Sequence, residues 1–246
     1  MQLFDDERIN DINEGLRIIE KKNSLVFGTD AYLLAAYLPK RQNARAVELG
    51  CGSGVISLLA LTKKKCHKVY GIEVQKTVYD IAVRNAELNG ISSFIPISKD
   101  LRSCTTDDTG GYADIIFSNP PYMKSSSGKL NDCEEKNLSR HEICGDITDF
   151  CACAARILKY GGDFYTVYRP DRMADLIYAL KLNKLEPKKI TFVHPNSDTP
   201  PSLVLICSRL GGKSGLKTEK PLFIYKDGTN EYTDRFKKIY EDCNIE

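Results

Sequence analysis

The sequence predicts an α/β fold: a doubly wound, mainly parallel sheet with helices on both faces, preceded by a small N-terminal unit. Three observations predict it. Short apolar, strand-like runs alternate with segments of helical periodicity through most of the chain, the pattern of right-handed crossovers. One strand, within VELGCGSG at 47–54, runs into three alternating glycines and then a helix. The last two strand-like runs are joined only by PNSDTPP, too short for a helical crossover, so these two pair antiparallel.

In chain order, 16–19 and 25–27 bracket EKKNS and read as a hairpin. Thr29 then caps a helix over 30–38, whose apolar residues nearly surround it. Residues 44–49 (ARAVEL) form a buried strand and 55–62 the helix after the glycines. A second strand at 68–72 (KVYGI) precedes a helix at 75–89, with Ile81, Ala82, Asn85 and Leu88 spaced along it. The third strand, 94–97, contains Pro96, which suits a sheet edge. The fourth, 113–117 (ADIIF), ends in SNPPY. A helix at 148–158 is stopped by Gly161 and Gly162, and a strand follows at 163–168. A helix at 173–182, strands at 189–194 and 202–208, a flexible tip at 210–215 and a short helix at 231–240 complete the chain. The polar stretch 123–144 is long enough to be a substrate loop. Residues 1–38 are expected as a hairpin-and-helix appendage on a domain spanning 39–246.

Composition narrows the class. At 246 residues, 42% hydrophobic and 28% charged, the chain can bury a core. Its apolar runs fall far short of the ~18–20 residues that span a bilayer, and the acidic start MQLFDDERIN is unlike a secretory signal. Nine scattered cysteines with no CxxC pair read as reduced thiols of a cytoplasmic protein and lack the spacing of a zinc site. A net charge of +2 neither demands nor excludes a nucleic-acid partner. Lys63–Lys65 with Lys68 reads as a solvated helix end, whereas the stretch from Arg156 to Ile190 has a local basic excess that can meet phosphates. Nothing calls for an obligate dimer, and oligomeric state stays open.

The chemistry lies in two motifs. At Gly50, Gly52 and Gly54 the backbone can turn tightly and a ligand can approach with no Cβ in the way. A helix-packing turn would look the same, but Glu73 ends the next strand, where a carboxylate can accept from both ribose hydroxyls. Asp100, just after the third strand, can face an adenine amino group. The pattern is neither G-x-G-x-x-G nor a P-loop. Glu48 beside the glycines repels a pyrophosphate and favours a cationic adenosyl ligand, S-adenosylmethionine, over NAD. In Ser118-Asn119-Pro120-Pro121-Tyr122, two prolines stiffen the backbone and hold Asn119 extended. The Asn119 side-chain oxygen and the Pro120 carbonyl can then both accept from one planar NH2 group, while Tyr122 offers a face for a flat base. Cys51 is a small filler with no nucleophilic role, and His194 before Pro195 reads as structural.

VELGCGSG, Glu73 and DIIFSNPPY together resemble class I S-adenosylmethionine-dependent methyltransferases that act on exocyclic amines. The resemblance implies a Rossmann-like, seven-stranded sheet of order 3-2-1-4-5-7-6 with strand seven antiparallel. Phe27-Gly28-Thr29-Asp30-Ala31-Tyr32, Arg140-His141-Glu142, Tyr168-Arg169-Pro170, Phe192-Val193-His194-Pro195 and the tail 220–225 with Tyr232-Thr233 are similar to bacterial tRNA adenine-N6 methyltransferases of the valine-tRNA type. That resemblance implies catalytic roles for Asn119, Pro120 and Tyr122. It implies cofactor contacts at Thr29, Asp30, Glu48, Gly50, Gly52, Gly54, Glu73, Asp100 and Asn119, and substrate contacts at Tyr122, Arg140, His141 and Arg169, with a tRNA partner, no membrane and no metal. Methylation of a release-factor glutamine or an rRNA guanine uses the same amine-accepting pair and stays open, as does a non-catalytic nucleotide-binding module; an NAD-dependent oxidoreductase fits the charges less well.

Overall fold

The structure, a computed structural model, describes residues 3–12, 15–22, 28–121 and 145–245. Tyr122, Arg140, His141, the 123–144 stretch and the strand expected at 25–27 lie outside the described residues. The N-terminal hairpin differs from expectation in its partner. β1 (Glu7–Ile12) pairs antiparallel with β2 (Leu16–Lys21), with Ile12 opposite Leu16, and Gly15 at φ 77° belongs to the turn. In β1 only Ile9 and Ile12 are apolar, so its alternation is too weak to read as a strand from the sequence. The hairpin is anchored on its far side. Glu7 takes a bidentate pair from Arg84 at 2.6 and 2.8 Å, and buried Asn85 accepts from the Ile19 N–H at 2.7 Å.

Helix α1 (Thr29–Tyr37) buries six consecutive residues, Ala31 to Ala36, which matches its all-round apolar sequence. Thr29 does not cap it. Gly28 holds the N-cap position without a side-chain bond, and Thr29 is the first, exposed helical residue. A Cβ on residue 28 would lie 2.5 Å from Asp30 Oδ1.

The sheet follows. β3 (Arg45–Leu49) leads through the glycine turn into α2 (Val55–Thr62), β4 (Lys68–Glu73), α3 (Lys76–Leu88) and β5 (Phe94–Ser98). β6 (Ala113–Ser118), α4 (Ile147–Ile157), β7 (Leu158–Tyr168), α5 (Met173–Leu182), β8 (Leu185–His194) and β9 (Leu203–Leu210) come next. The order is β8-β9-β7-β6-β3-β4-β5, with Pro96 on the edge strand β5. Counted from the strand before the glycines, it reads 3-2-1-4-5-7-6, and β9 is antiparallel to both neighbours. Two further two-residue strands, β10 (Lys217–Thr218) and β11 (Leu222–Phe223), add to the outer side of β8, beyond the seven strands expected.

Three local expectations change. Gly161 and Gly162 lie inside β7, where Gly161 at φ 78° accommodates a register shift against β6, and α4 ends directly into the strand at Leu158. The last helix, α6 (Asp234–Asp242), starts later than expected because Thr233 caps it, accepting the Phe236 N–H at 3.1 Å. Lys65 is not solvated: it is 1% exposed and donates to the Leu38 and Ala36 carbonyls beyond and at the end of α1, at 2.7 and 3.3 Å.

Two cores flank the sheet. One gathers the hairpin, α1, α2, the Phe94 ring and α6; the other gathers α4, α5, Val47, Leu49 and Ile72. Alternation along β3 sends Val47 and Leu49 to one side and Glu48 to the other, toward α2. The carboxyl ends of β3 and β6 are adjacent, with β4 and β5 continuing one way and β7 the other. In an open α/β sheet, that switch in direction leaves the crevice where ligands bind.

Candidate active site

The glycine turn leads from β3 into α2. Gly50, Gly52 and Gly54 all have left-handed backbones, with φ of 68°, 56° and 85°. They differ in what surrounds them. A Cβ at Gly54 would lie 2.4 Å from the Phe94 ring, and one at Gly50 3.3 Å from the Phe150 ring, so these two positions let aromatic side chains close in from either face. At Gly52 a Cβ would meet no atom of the described residues within 4 Å. The middle glycine borders open space on the ligand side of the turn. Cys51 packs against Gly71 of β4, and burial pushes its thiol well above the ordinary range, so it is inert.

Glu73, 5% exposed at the end of β4, reaches across to this turn. Its Oε2 accepts the Gly52 N–H at 3.0 Å and its Oε1 the Gln75 N–H at 2.9 Å. Burial raises its carboxyl from the usual value, opposed by those bonds. Each carboxylate oxygen has a second lone pair, so a diol can still be accepted beside them. Glu48 is placed differently. It is 1% exposed, and its Oε2 accepts both the N–H of Ser57, at 3.1 Å, and the Ser57 hydroxyl. Burial pushes its carboxyl up to about 8, with the Ser57 bonds opposing. Glu48 thus holds the first turn of α2 from behind the glycines. Asp100 follows β5 and turns onto its neighbour: Arg102 donates its backbone N–H at 2.8 Å and its guanidinium to the same carboxylate, holding it below the usual range.

The second wall is the end of β6. Buried Ser118 donates its hydroxyl to the Leu49 carbonyl at 2.7 Å, fixing this strand end against the start of the glycine turn. Asn119 follows, half-buried, and then buried Pro120. The Asn119 side-chain Nδ2 donates to Asp30 Oδ2 of α1 at 2.9 Å. That bond sets the amide with Nδ2 toward α1 and makes Oδ1 its acceptor end. No sequence signal pointed to this contact. Ser57, Phe94 and Phe150 were also not singled out, since each reads as an ordinary core or helix residue until the strands are placed.

Arg169 stands at the carboxyl end of β7 and pairs with Asp171 at 2.9 and 3.1 Å. Much of the basic stretch around it is likewise engaged in its own chain. Arg172 pairs with Asp175, Lys181 with Glu186, and Arg156 donates to the carbonyls of Leu101 and Cys104. His194 is structural, its Nδ1 donating to the Thr199 carbonyl at 2.8 Å. Among the described residues no group of three or more His, Cys, Asp or Glu is placed to hold a metal ion, and no helix is long and apolar enough to cross a membrane.

Open space over Gly52, a two-oxygen acceptor at Glu73 and the Asn119–Pro120 wall fit an adenosyl cofactor beside an amine acceptor. Fold and site define an S-adenosylmethionine-dependent methyltransferase. The methyltransferase small domain family model matches residues 23–181, and the chain belongs to that family. Among curated relatives, the tRNA1(Val) (adenine(37)-N6)-methyltransferase of Dickeya chrysanthemi is 26% identical over 222 residues, covering 87% of this chain and 86% of its own length. The enzyme of the same name from Histophilus somni is 27% identical over 218 residues, covering 87% and 88%. Among solved structures, a predicted O-methyltransferase from Agrobacterium tumefaciens superposes with a TM-score of 0.70 at 21% identity, covering 87% of this chain and 96% of its own.

Proposed function

We propose that the protein methylates the exocyclic N6 amine of an adenine in tRNA, with adenine 37 of a valine tRNA as the target. The names of the curated relatives support the substrate. The observation that carries the chemistry is the Asn119 amide, set with Oδ1 as its acceptor end at the ligand-binding edge of the sheet. When bound, S-adenosylmethionine supplies an electrophilic methyl group and leaves as S-adenosylhomocysteine.

The roles of the residues follow. Gly50, Gly52 and Gly54 shape the turn against which the cofactor lies. Glu73 accepts the ribose hydroxyls, and Asp100 borders the base. Glu48 braces the turn through Ser57. Thr29, in the N-terminal unit 1–38, closes the cofactor side of the domain 39–246, and Asp30 beside it accepts from the Asn119 amide. Asn119 Oδ1 and the Pro120 carbonyl accept the two N–H bonds of the target amine, a poor nucleophile whose lone pair is drawn into the ring. Both acceptors face the positive charge that grows on nitrogen, and they do so in place, with no reorganisation during the reaction. Tyr122 offers the stacking face for a base that has left its own stack, and Arg140, His141 and Arg169 meet the RNA. Such an enzyme works in the cytoplasm, where tRNA is matured.

The test is transfer of labelled methyl from S-adenosylmethionine to separate pools of total tRNA, rRNA and release factor. Label in tRNA, recovered as N6-methyladenosine, is the expected result. Label in protein alone, or in rRNA guanine alone, overturns the substrate.

A further inference from the structure

We propose that Asp30 is a positioning residue for methyl transfer: its side chain fixes which end of the Asn119 amide meets the target amine. This rests on the amine-methylating reading above but not on the identity of the amine. An amide side chain presents an NH2 donor and an oxygen acceptor of nearly the same shape, and only the oxygen can accept from an incoming amine. A carboxylate only accepts. With Nδ2 2.9 Å from Asp30 Oδ2, rotating the Asn119 amide by half a turn would set two acceptor oxygens against each other, so one orientation is retained. Donation of an amide N–H to an anion also draws electron density toward Oδ1 and makes it the stronger acceptor.

The chain reserves room for this contact. Gly28, with an ordinary φ of −98°, could carry a side chain as far as its backbone is concerned, yet a Cβ there would lie 2.5 Å from Asp30 Oδ1 and 3.5 Å from its Cγ. The nearest atoms among the described residues are those of the Asp30 side chain and, at 4.0 Å, its backbone nitrogen. Gly28 therefore keeps clear the position from which Asp30 reaches Asn119, and Gly28→Ala displaces that carboxylate first.

Four variants test it: Asp30→Ala, Asp30→Asn, Gly28→Ala, and Asn119→Ala as the reference for full loss. Three quantities are read: the rate at saturating cofactor on whichever pool the wild type labels, the Kd for S-adenosylhomocysteine, and the Asn119 side-chain amide resonances of the protein alone. Asp30→Ala is expected to shift those resonances and lower the saturated rate by roughly 10- to 100-fold, as loss of alignment at a reacting centre does, with Kd within about threefold. Asp30→Asn can still accept through its oxygen and retains an intermediate rate. Gly28→Ala melts as the wild type does and shows the same rate-selective loss. Unmoved Asn119 resonances in Asp30→Ala overturn the proposal. So does a tenfold weaker Kd whose rate recovers at saturation, which would make Asp30 a cofactor contact. If the wild type labels protein or guanine, the tRNA reading fails while the split between rate and Kd still decides Asp30. If it labels no pool, the resonances and the titration decide it.

Discussion

Glu48 and Glu73 lie on adjacent strands, yet their surroundings separate them. Glu73 is wired to the glycine turn through Gly52, so on the proposed reading Glu73→Ala removes a cofactor acceptor together with a brace of the turn. Loss of up to two charge-assisted bonds is worth about 2–3 kcal/mol, roughly 30- to 150-fold in cofactor Kd, measured by calorimetry with S-adenosylhomocysteine. Glu73→Gln keeps an acceptor for Gly52 and loses less; a Kd within threefold of wild type for Glu73→Ala would contradict the assignment. Glu48 is a stability prediction instead. Its folded pKa of about 8 exceeds its ordinary 4.5, so the folded protein keeps a proton that the unfolded chain releases. The stability this gives is fully present below about pH 4.5 and is lost as pH rises to about 8, by on the order of 1 kcal/mol per pH unit at most. Urea denaturation from pH 5 to 9 should show Glu48→Gln with a shallower decline than the wild type. The carboxylates held low, Glu7, Asp100, Asp108 and Asp114, titrate below this window, and Glu73, which burial raises, is common to both proteins, so the difference between their slopes reads Glu48. An identical slope in both proteins would contradict a protonated, buried Glu48.

The glycine turn and its flanking elements show what sequence patterning reveals and what it hides. Helices at 55–62 and 173–182 and the antiparallel last pair were legible because apolar periodicity, glycine punctuation and connection length are local properties, whereas the full strand order came from the family resemblance. The division of labour among the three glycines was not, because it depends on Phe94 and Phe150 arriving from elsewhere in the chain. It yields a prediction. Gly54→Ala forces a β-carbon into the Phe94 ring at a left-handed φ and should cost about 2–4 kcal/mol of stability. Gly52→Ala meets no atom of the described residues and should cost only the backbone strain, about 1–2 kcal/mol, while on the proposed reading its methyl enters the ligand space. Thermal melts paired with cofactor titration check this: Gly54→Ala should lose more stability, and Gly52→Ala more affinity than its stability loss explains. The reverse ranking would place the cofactor elsewhere. The hairpin was half legible, since β2 carries consecutive buried isoleucines and β1 is mostly polar.

For the whole molecule, the sheet is a frame that brings distant residues to one edge. Asp30 and Asn119 stand 89 positions apart and meet because α1 packs against α2 and against β7, the neighbour of β6, so no spacing rule could show their contact. The motif residues themselves were legible; their partners were not. Lys65 makes the same point, a charge that reads as solvated until the end of α1 is laid over it. The basic excess near β7 and α5 also changes meaning in three dimensions, because pairs such as Arg169–Asp171 and Lys181–Glu186 absorb much of it. Exposed pairs of this kind contribute about 0–1 kcal/mol and are exchangeable for phosphate contacts, so on the proposed reading the RNA face depends on geometry rather than net charge. The most direct measurement of the central claim is mass spectrometry of nucleosides from purified valine tRNA of cells lacking the protein, complemented with wild type or Asn119→Ala. N6-methyladenosine at position 37 should vanish on deletion, return with the wild type and stay absent with Asn119→Ala; its persistence in the deletion, or its return with Asn119→Ala, would contradict the account.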